Sequence, residues 1–211
     1  MRPPDKIYLY RITHIDNLDY ILKTGRLTCP NHKDANPEYI GIGDNSLIRN
    51  RSVKQINIEP FGTFDDYIAF YFGSRSPMLY EIQNGYNGVV KRNPQEIIYL
   101  VTTFEKILES KMPYVFTDGH AYHSLSQFFN NPDGLNEVDW NTIKLKQWYD
   151  TEDDPDRKRR KQAEFLVYKE LPVGALGGII VYTEAVRNEI LIKFADNKSS
   201  LPVAVKPELY Y

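Results

Sequence analysis

Tyr67-Ile68-Ala69-Phe70-Tyr71-Phe72 is the stretch on which the fold class turns. Its aromatic and β-branched residues read as a strongly apolar strand, and Gly73-Ser74-Arg75-Ser76-Pro77-Met78 follows as a turn or loop. Working outward, further strands are expected at Ile7–Thr13, Glu96–Val101, Tyr114–Thr117, Glu164–Tyr168, Gly178–Tyr182 and Pro202–Lys206. A helix starts at Asn17, with Asp16 as its cap, a buried stripe of Leu18, Ile21 and Leu22, and Gly25 as its left-handed stop. Other helices are expected from about Thr103 to Ser110, over Trp140–Trp148 and over Glu184–Phe194. Strands and short helices alternate without repeats, which gives an α+β fold.

Two long segments resist this reading. Residues 30–64 are punctuated by Pro30, Pro37, Gly41, Gly43, Pro60 and Gly62, with a helix expected only around Asn45–Arg51. Asp118–Asp156 is similarly irregular. Loops this long inside a compact domain are uncommon and often functional. Acidic Glu152, Asp153, Asp154 and Asp156 stand beside basic Arg157–Lys161, a pattern expected for a solvated face.

The chain has 211 residues and 42% hydrophobic content, enough for one domain with a real core, so residues 1–211 are taken as one unit. Basic and acidic residues number 26 and 28, a net charge of -2, which argues against coating nucleic acid but permits a local basic groove. Aromatics reach 13%, with 16 Tyr, suited to core edges and stacking surfaces alike. The one cysteine, Cys29, allows no internal disulfide and is expected to be inert. The N-terminal MRPPDKIYLY lacks a signal-peptide apolar run, and no stretch approaches a membrane span. The expectation is a soluble cytoplasmic protein without membrane attachment.

Few residues stand out chemically. Glu164 sits between the basic run and the apolar Phe165-Leu166-Val167, where neighbouring cations favour its ionised form or a simple surface ion pair. Arg49 and Arg51 in the first loop suit phosphate binding or plain solvation. His14, His120 and His123 form no metal pattern, and no metal is expected. The chain has no GxGxxG and no Walker phosphate loop, so kinase or ATPase chemistry is disfavoured, and NAD, if bound, is not held by a Rossmann crossover. On residues alone the substrate stays open.

Four ordered stretches resemble the DarT family of DNA ADP-ribosyltransferase toxins. They are Tyr10-Arg11-Ile12-Thr13-His14-Ile15-Asp16-Asn17-Leu18, Asp66 through Tyr80, Val115-Phe116-Thr117-Asp118-Gly119-His120-Ala121, and Lys161-Gln162-Ala163-Glu164-Phe165-Leu166-Val167. Ala69 departs from the family's usual proline. The resemblance implies an ADP-ribosyltransferase-like split β-sandwich with short helices and long NAD-covering and DNA-presenting loops. By similarity, Arg11, Ile12, Thr13, Tyr20, Thr28, Arg51 and Tyr71 bind NAD, with Arg11, Ile12 and Thr13 holding the nicotinamide partly through backbone groups. The loop around residues 35–53 covers the dinucleotide, and Thr117 to Glu164 presents DNA. Glu164, Arg51 and His120 carry catalysis, with Arg51 selected over Arg49 by gap-free spacing. Arg75, Met78 and His120 contact DNA, with Tyr122, Phe128 and Trp148 available to stack on bases. Gly119 is expected to allow a tight turn that aims His120 into the cleft.

The implied reaction moves ADP-ribose from NAD to a base of single-stranded DNA. Thymine is favoured and guanine is the alternative. A carboxylate such as Glu164 stabilises the oxocarbenium-like transition state of glycosidic cleavage. The family assigns the base's proton to Arg51, which sits awkwardly with a guanidinium that is normally always protonated. The implied partner is a macrodomain-type antitoxin, and the chain is expected to be a monomer. The alternatives are transfer to RNA or protein, and a non-catalytic single-strand binding module. A metal-dependent nuclease lacks the carboxylate cluster for Mg²⁺.

Overall fold

The structure is a computed structural model and describes residues 2–197 and 200–211. Ten strands and seven α-helices follow in chain order. They are β1 Tyr8–His14, α1 Asn17–Thr24, β2 Arg26–Thr28, α2 Asn45–Ser52, β3 Tyr67–Tyr71, α3 Pro77–Asn84, β4 Ile97–Thr103, α4 Phe104–Ser110 and β5 Tyr114–Thr117. Then come β6 Phe128–Phe129, α5 Trp140–Lys144, α6 Arg157–Lys161, β7 Glu164–Tyr168, β8 Glu170–Pro172, β9 Gly178–Val181, α7 Glu184–Asn197 and β10 Val203–Val205. Eight strands share one sheet in the order β10-β9-β4-β1-β3-β7-β5-β6, and β2 pairs with β8 apart from it.

The sheet is continuous but weakly joined at one seam. β1 and β4 pair over seven register positions and β3 and β7 over five, whereas the β1–β3 ladder holds only Tyr10↔Tyr71. This seam is the split of the sandwich. It divides the sheet into two halves, each of which has its own central strands.

Side-chain alternation fills both faces. β4, buried along its whole length, sends Ile98 and Leu100 to one face with Leu9, Phe70, Phe116 and Phe165, under α1, α4 and α7. The opposite face carries two separate cores, one on each side of the seam. Ile12, Ile97, Tyr99 and Val101 pack with Leu79 and Ile82 of α3. Ile56, Phe64, Tyr67, Val115 and Leu166 pack together on the other side. Tyr71 and Glu164 are register partners and alternate with the residues of the first face, so they project on the side of this last core.

Several sequence expectations need correction. Asp16 precedes α1 but its side chain makes no cap bond, while Gly25 does end the helix at φ 70°. Gly73–Met78 is not all loop: Ser76 accepts from Leu79 N–H and starts α3 at Pro77, where a ring without an N–H costs nothing. α5 stops at Lys144 rather than Trp148 because the Leu145 backbone turns extended. The acidic and basic blocks are not a solvated face. Arg160 is paired with Asp139 and Asp154, Arg159 with Asp118 and Asp156, and Lys161 is buried with its ammonium donating to Ile143 O at 2.6 Å. β2, β6 and β8 are two or three residues long, too short for periodicity to reveal.

Candidate active site

Glu164 begins β7 and is 1% exposed. A buried carboxylate needs partners for both oxygens, and it has them. Arg51, from the last turn of α2, donates Nη2 to Oε2 at 2.6 Å and Nη1 to Oε1 at 3.2 Å. The Ala121 backbone N–H donates to Oε1 at 2.9 Å. His120 Nε2 stands 3.9 Å from the same oxygen. The strand start is fixed by the Thr117 hydroxyl, which accepts from Glu164 N–H at 3.2 Å and itself donates to Gly119 O at 2.6 Å.

Opposing effects set the ionisation of this group. Burial by itself would raise the Glu164 carboxyl, but the Arg51 cation, His120 and the hydrogen bonds outweigh it and hold it below the usual carboxylate range. The cation that matters is thus Arg51, 113 residues away, and not the adjacent basic run, whose arginines are engaged elsewhere. Burial works against the charge of Arg51 too, yet Glu164 holds the guanidinium above its ordinary value, and its Cζ lies 4.6 Å from the Phe64 ring centre. For His120 burial prevails over the pull of Glu164 and moves the imidazole below its usual value, leaving it neutral at pH 7.

The loops are pinned around this pair. Asp44 caps α2 by accepting from Ser46 and Leu47 N–H. Lys54, just past α2, donates to Tyr122 O at 2.7 Å and sits 4.7 Å from the Tyr122 ring. The His120 backbone N–H donates to Arg159 O at 2.8 Å. Gly119 is needed here for a different reason from the one expected: it has no left-handed φ, but a Cβ on it would collide with the Arg159 guanidinium.

On the other side of the seam lies a cavity of about 240 Å³, lined among others by Arg11, Thr13, Tyr20, Arg26, Thr28 and Tyr39. Arg11 donates Nη1 to Ala69 O at 2.9 Å, bridging β1 to β3, and Nη2 to the Tyr39 hydroxyl at 3.2 Å. That hydroxyl is also 3.3 Å from Thr13 Oγ1. The Arg11 guanidinium, several hydroxyls and tyrosine rings suit an anionic nucleotide, so the lining fits part of a dinucleotide, while Arg26 is paired with Glu170 at 2.8 Å. Arg11, Thr13, Tyr20 and Thr28 therefore line one cavity, as grouped from sequence. Ile12 differs, because its side chain turns into the α3 core and only its backbone can face the cleft. Arg51 and Tyr71 lie with Glu164 and not in the cavity lining. Tyr71 sits between the two sites: burial first, then Glu164, raises its hydroxyl strongly, while both Arg51 and Arg11 act in the opposite sense.

The expected DNA contacts are partly engaged within the fold. Arg75 donates Nε to Tyr210 O at 2.9 Å. Met78 is half-buried beside the α3 core, with its sulfur 3.9 Å from the Tyr71 hydroxyl. Phe128 packs edge-on against Phe64. Sequence reasoning missed Asn17 and Tyr39. Asn17 is buried and clamps Ile40 through both its amide atoms, at 2.9 Å each, which sets Tyr39 over the cavity. The signal was a polar residue on an otherwise apolar helix stripe. Cys29 is free and buried, and burial raises its thiol, as expected of an inert residue.

His120 carries the first test of this geometry. His120→Ala should lower transfer to an acceptor base about 10²-fold, within the usual span for a lost acid–base group, and leave slow NAD hydrolysis nearly intact. Both rates are to be measured on one preparation. Equal loss of the two would make His120 a residue for NAD binding or folding.

The sequence model of the DarT family, described as ssDNA thymidine ADP-ribosyltransferase, matches residues 10–211. A DNA ADP-ribosyl transferase of Thermus sp. (strain 2.9) is 34% identical over 213 residues, covering 99% of this chain and 98% of that protein. Its solved complex with ADP-ribosylated ssDNA superposes with a TM-score of 0.93 at 32% identity, covering 100% of this chain and 99% of the other. Its complex with NAD+ gives a TM-score of 0.87 at the same identity, with full coverage of both chains. A fusion protein of Thermosipho africanus, DNA ADP-ribosyl transferase joined to DNA ADP-ribosyl glycohydrolase, is 26% identical over 206 residues, covering 96% of this chain and 49% of the fusion. With the fold matched along its whole length and the sequence model along nearly all of it, the chain belongs to the DarT family.

Proposed function

We propose that this chain transfers ADP-ribose from NAD to thymine in single-stranded DNA and releases nicotinamide. The observation that carries the mechanism is the buried Glu164 carboxylate, ionised and gripped by Arg51, beside a cavity whose lining suits NAD. NAD supplies the ribose carbon and the nicotinamide leaving group. As their bond breaks, positive charge grows on the ribose, and Glu164 offers a fixed negative charge in a water-poor site. Arg11 and Thr13 hold the donor from the β1 side, and Tyr71 separates donor from acceptor. The base nitrogen forms the new bond to the ribose carbon and gives up its proton.

Proton acceptance suits His120 better than Arg51. The imidazole is neutral and 3.9 Å from Glu164, whereas the guanidinium is held firmly in its charged form. Arg51 is then the group that keeps Glu164 ionised and oriented. A single strand is the natural acceptor, because a paired, stacked base would first have to be flipped out.

We take the monomer as the working unit. We take the cytoplasm as the site of action, where DNA and NAD both reside; no helix among the described residues is long and apolar enough to cross a membrane. The fused glycohydrolase of the Thermosipho relative supports a reversing partner of macrodomain type, and so a toxin–antitoxin role. The test is mass spectrometry of single-stranded oligonucleotides after incubation with NAD. Strands with thymine, with guanine replacing it, the duplex, and the matched RNA are run in parallel. One added ADP-ribose on thymine-containing single strands is expected. Equal modification of RNA or duplex, or modification of protein alone, would overturn the substrate.

A further inference from the structure

Four aromatic rings form a row on the surface beside the site. Tyr149 is 6.3 Å from Trp148, Trp148 is 5.4 Å from Tyr80, and Tyr80 is 5.7 Å from Tyr86, between ring centroids. Tyr211 stands edge-on to Tyr80 at 5.1 Å. The ends of the row are open to solvent, with Tyr149 56% exposed and Tyr86 51% exposed, while Trp148 and Tyr80 between them are half-buried. Exposed rings backed by such a row on a protein surface offer a contact site. None of these rings takes part in the Glu164 centre or lines the NAD cavity.

One cation lies against the row and ties it to the active site. Lys158 places its ammonium 5.5 Å from the Trp148 ring centre. Two carboxylates stand nearby and are held by neutral donors: Asp150 accepts from the Lys158 backbone N–H at 2.8 Å, and Glu81 accepts from Asn87. Lys158 lies on α6, whose chain enters β7 at Glu164; six residues span at most about 20 Å, a distance of a few nucleotides. Beside Tyr80, the Tyr211 hydroxyl donates to Arg75 O at 2.7 Å, at the turn that follows Tyr71.

We infer that this row is a stacking platform for the nucleotides that flank the target base on the single strand. The inference rests on the DNA reading above. A strand whose target base sits at Glu164 must leave the site over neighbouring surface. Aromatic faces accept any base, and a cation beside them suits the phosphate between two bases. The platform therefore adds affinity without adding sequence choice, and it acts only on substrates long enough to reach it.

The test compares an oligonucleotide of about four nucleotides with one of about twelve, sharing the same target, on the full chain. Wild type should show a lower KM for the longer strand. The double variant Y86A/Y149A should raise KM for the longer strand about tenfold or more, the loss of one or two stacked bases, with kcat, the short-strand KM and NAD hydrolysis unchanged. Y86F/Y149F keeps both rings and should keep the wild-type KM. Fluorescence of the Trp residues should be quenched by the longer strand without NAD. An unchanged long-strand KM, or equal loss on both lengths, overturns the platform. Wild type that modifies neither strand would instead overturn the DNA reading, and the quenching titration would still judge the platform.

Discussion

Glu164→Gln will lower both ADP-ribosyl transfer and NAD hydrolysis by about 10³-fold, at the upper end for a lost electrostatic contact in a buried site. The glutamine carbonyl can still accept the Ala121 N–H, so the local shape survives while the charge disappears. The loss should appear in kcat, with KM for NAD changing less, because the carboxylate acts on charge that exists only in the transition state. Glu164→Ala is a harsher change. It strands the Arg51 guanidinium and the Ala121 N–H, and removing one partner of a buried pair costs about 3–5 kcal/mol. Thermal unfolding of the two variants separates the effects. A Gln variant that keeps its wild-type rate would remove Glu164 from the chemistry.

The second large effect belongs to Arg51. Arg51→Ala should cost about 10²-fold in transfer, comparable to a lost buried electrostatic contact, while Arg49→Ala leaves activity nearly unchanged. Arg49 is exposed, and among the described residues its side chain makes no hydrogen bond or ion pair, while its backbone carbonyl accepts from the Ser52 hydroxyl. Without Arg51, Glu164 loses the cation and the hydrogen bonds that most oppose its burial, so its carboxyl moves up from its wild-type position. The sign of the pH effect follows. In the wild type Glu164 is depressed, so the stability from its pairing is present above the ordinary carboxylate pKa of about 4.3 and is lost as pH falls through the lower folded value. In Arg51→Ala the acid form persists to higher pH, so residual activity should rise with pH where the wild type is flat. Arg51→Lys should fall between, since one ammonium cannot bond both carboxylate oxygens in parallel. Equal loss from Arg49→Ala and Arg51→Ala would point to a shared phosphate role.

Most of the fold was legible because its long elements have strong periods or composition. The apolar run at residues 67–72 and the β-branched run at 97–101 could only be strands, and both lie at the centre of the sheet. What stayed hidden depends on distant partners. β2 and β8 exist because they pair with each other across the chain, and α6 looked like a solvated charge block because Asp118 and Asp139 are remote in sequence. The candidate site was legible through family resemblance, which grouped Arg51, His120 and Glu164 without saying how they touch. Spacing could not tell that Arg51 takes both oxygens of Glu164, that Asn17 sets the Tyr39 loop, or that Tyr80 joins Trp148 to Tyr86.

The 113 residues between Arg51 and Glu164 also bear on synthesis. A ribosome delivers β1, α2 and β3 well before β7, so a growing chain carries the cleft-lining arginines long before it carries the carboxylate. At about 5–20 residues per second the gap amounts to roughly 6–20 s of translation. Any product terminated within that interval lacks Glu164 and the strand that joins β3 to β5. Such a fragment cannot assemble the Arg51–Glu164 pair. The order of the chain thus makes the carboxylate strand the step that completes the site.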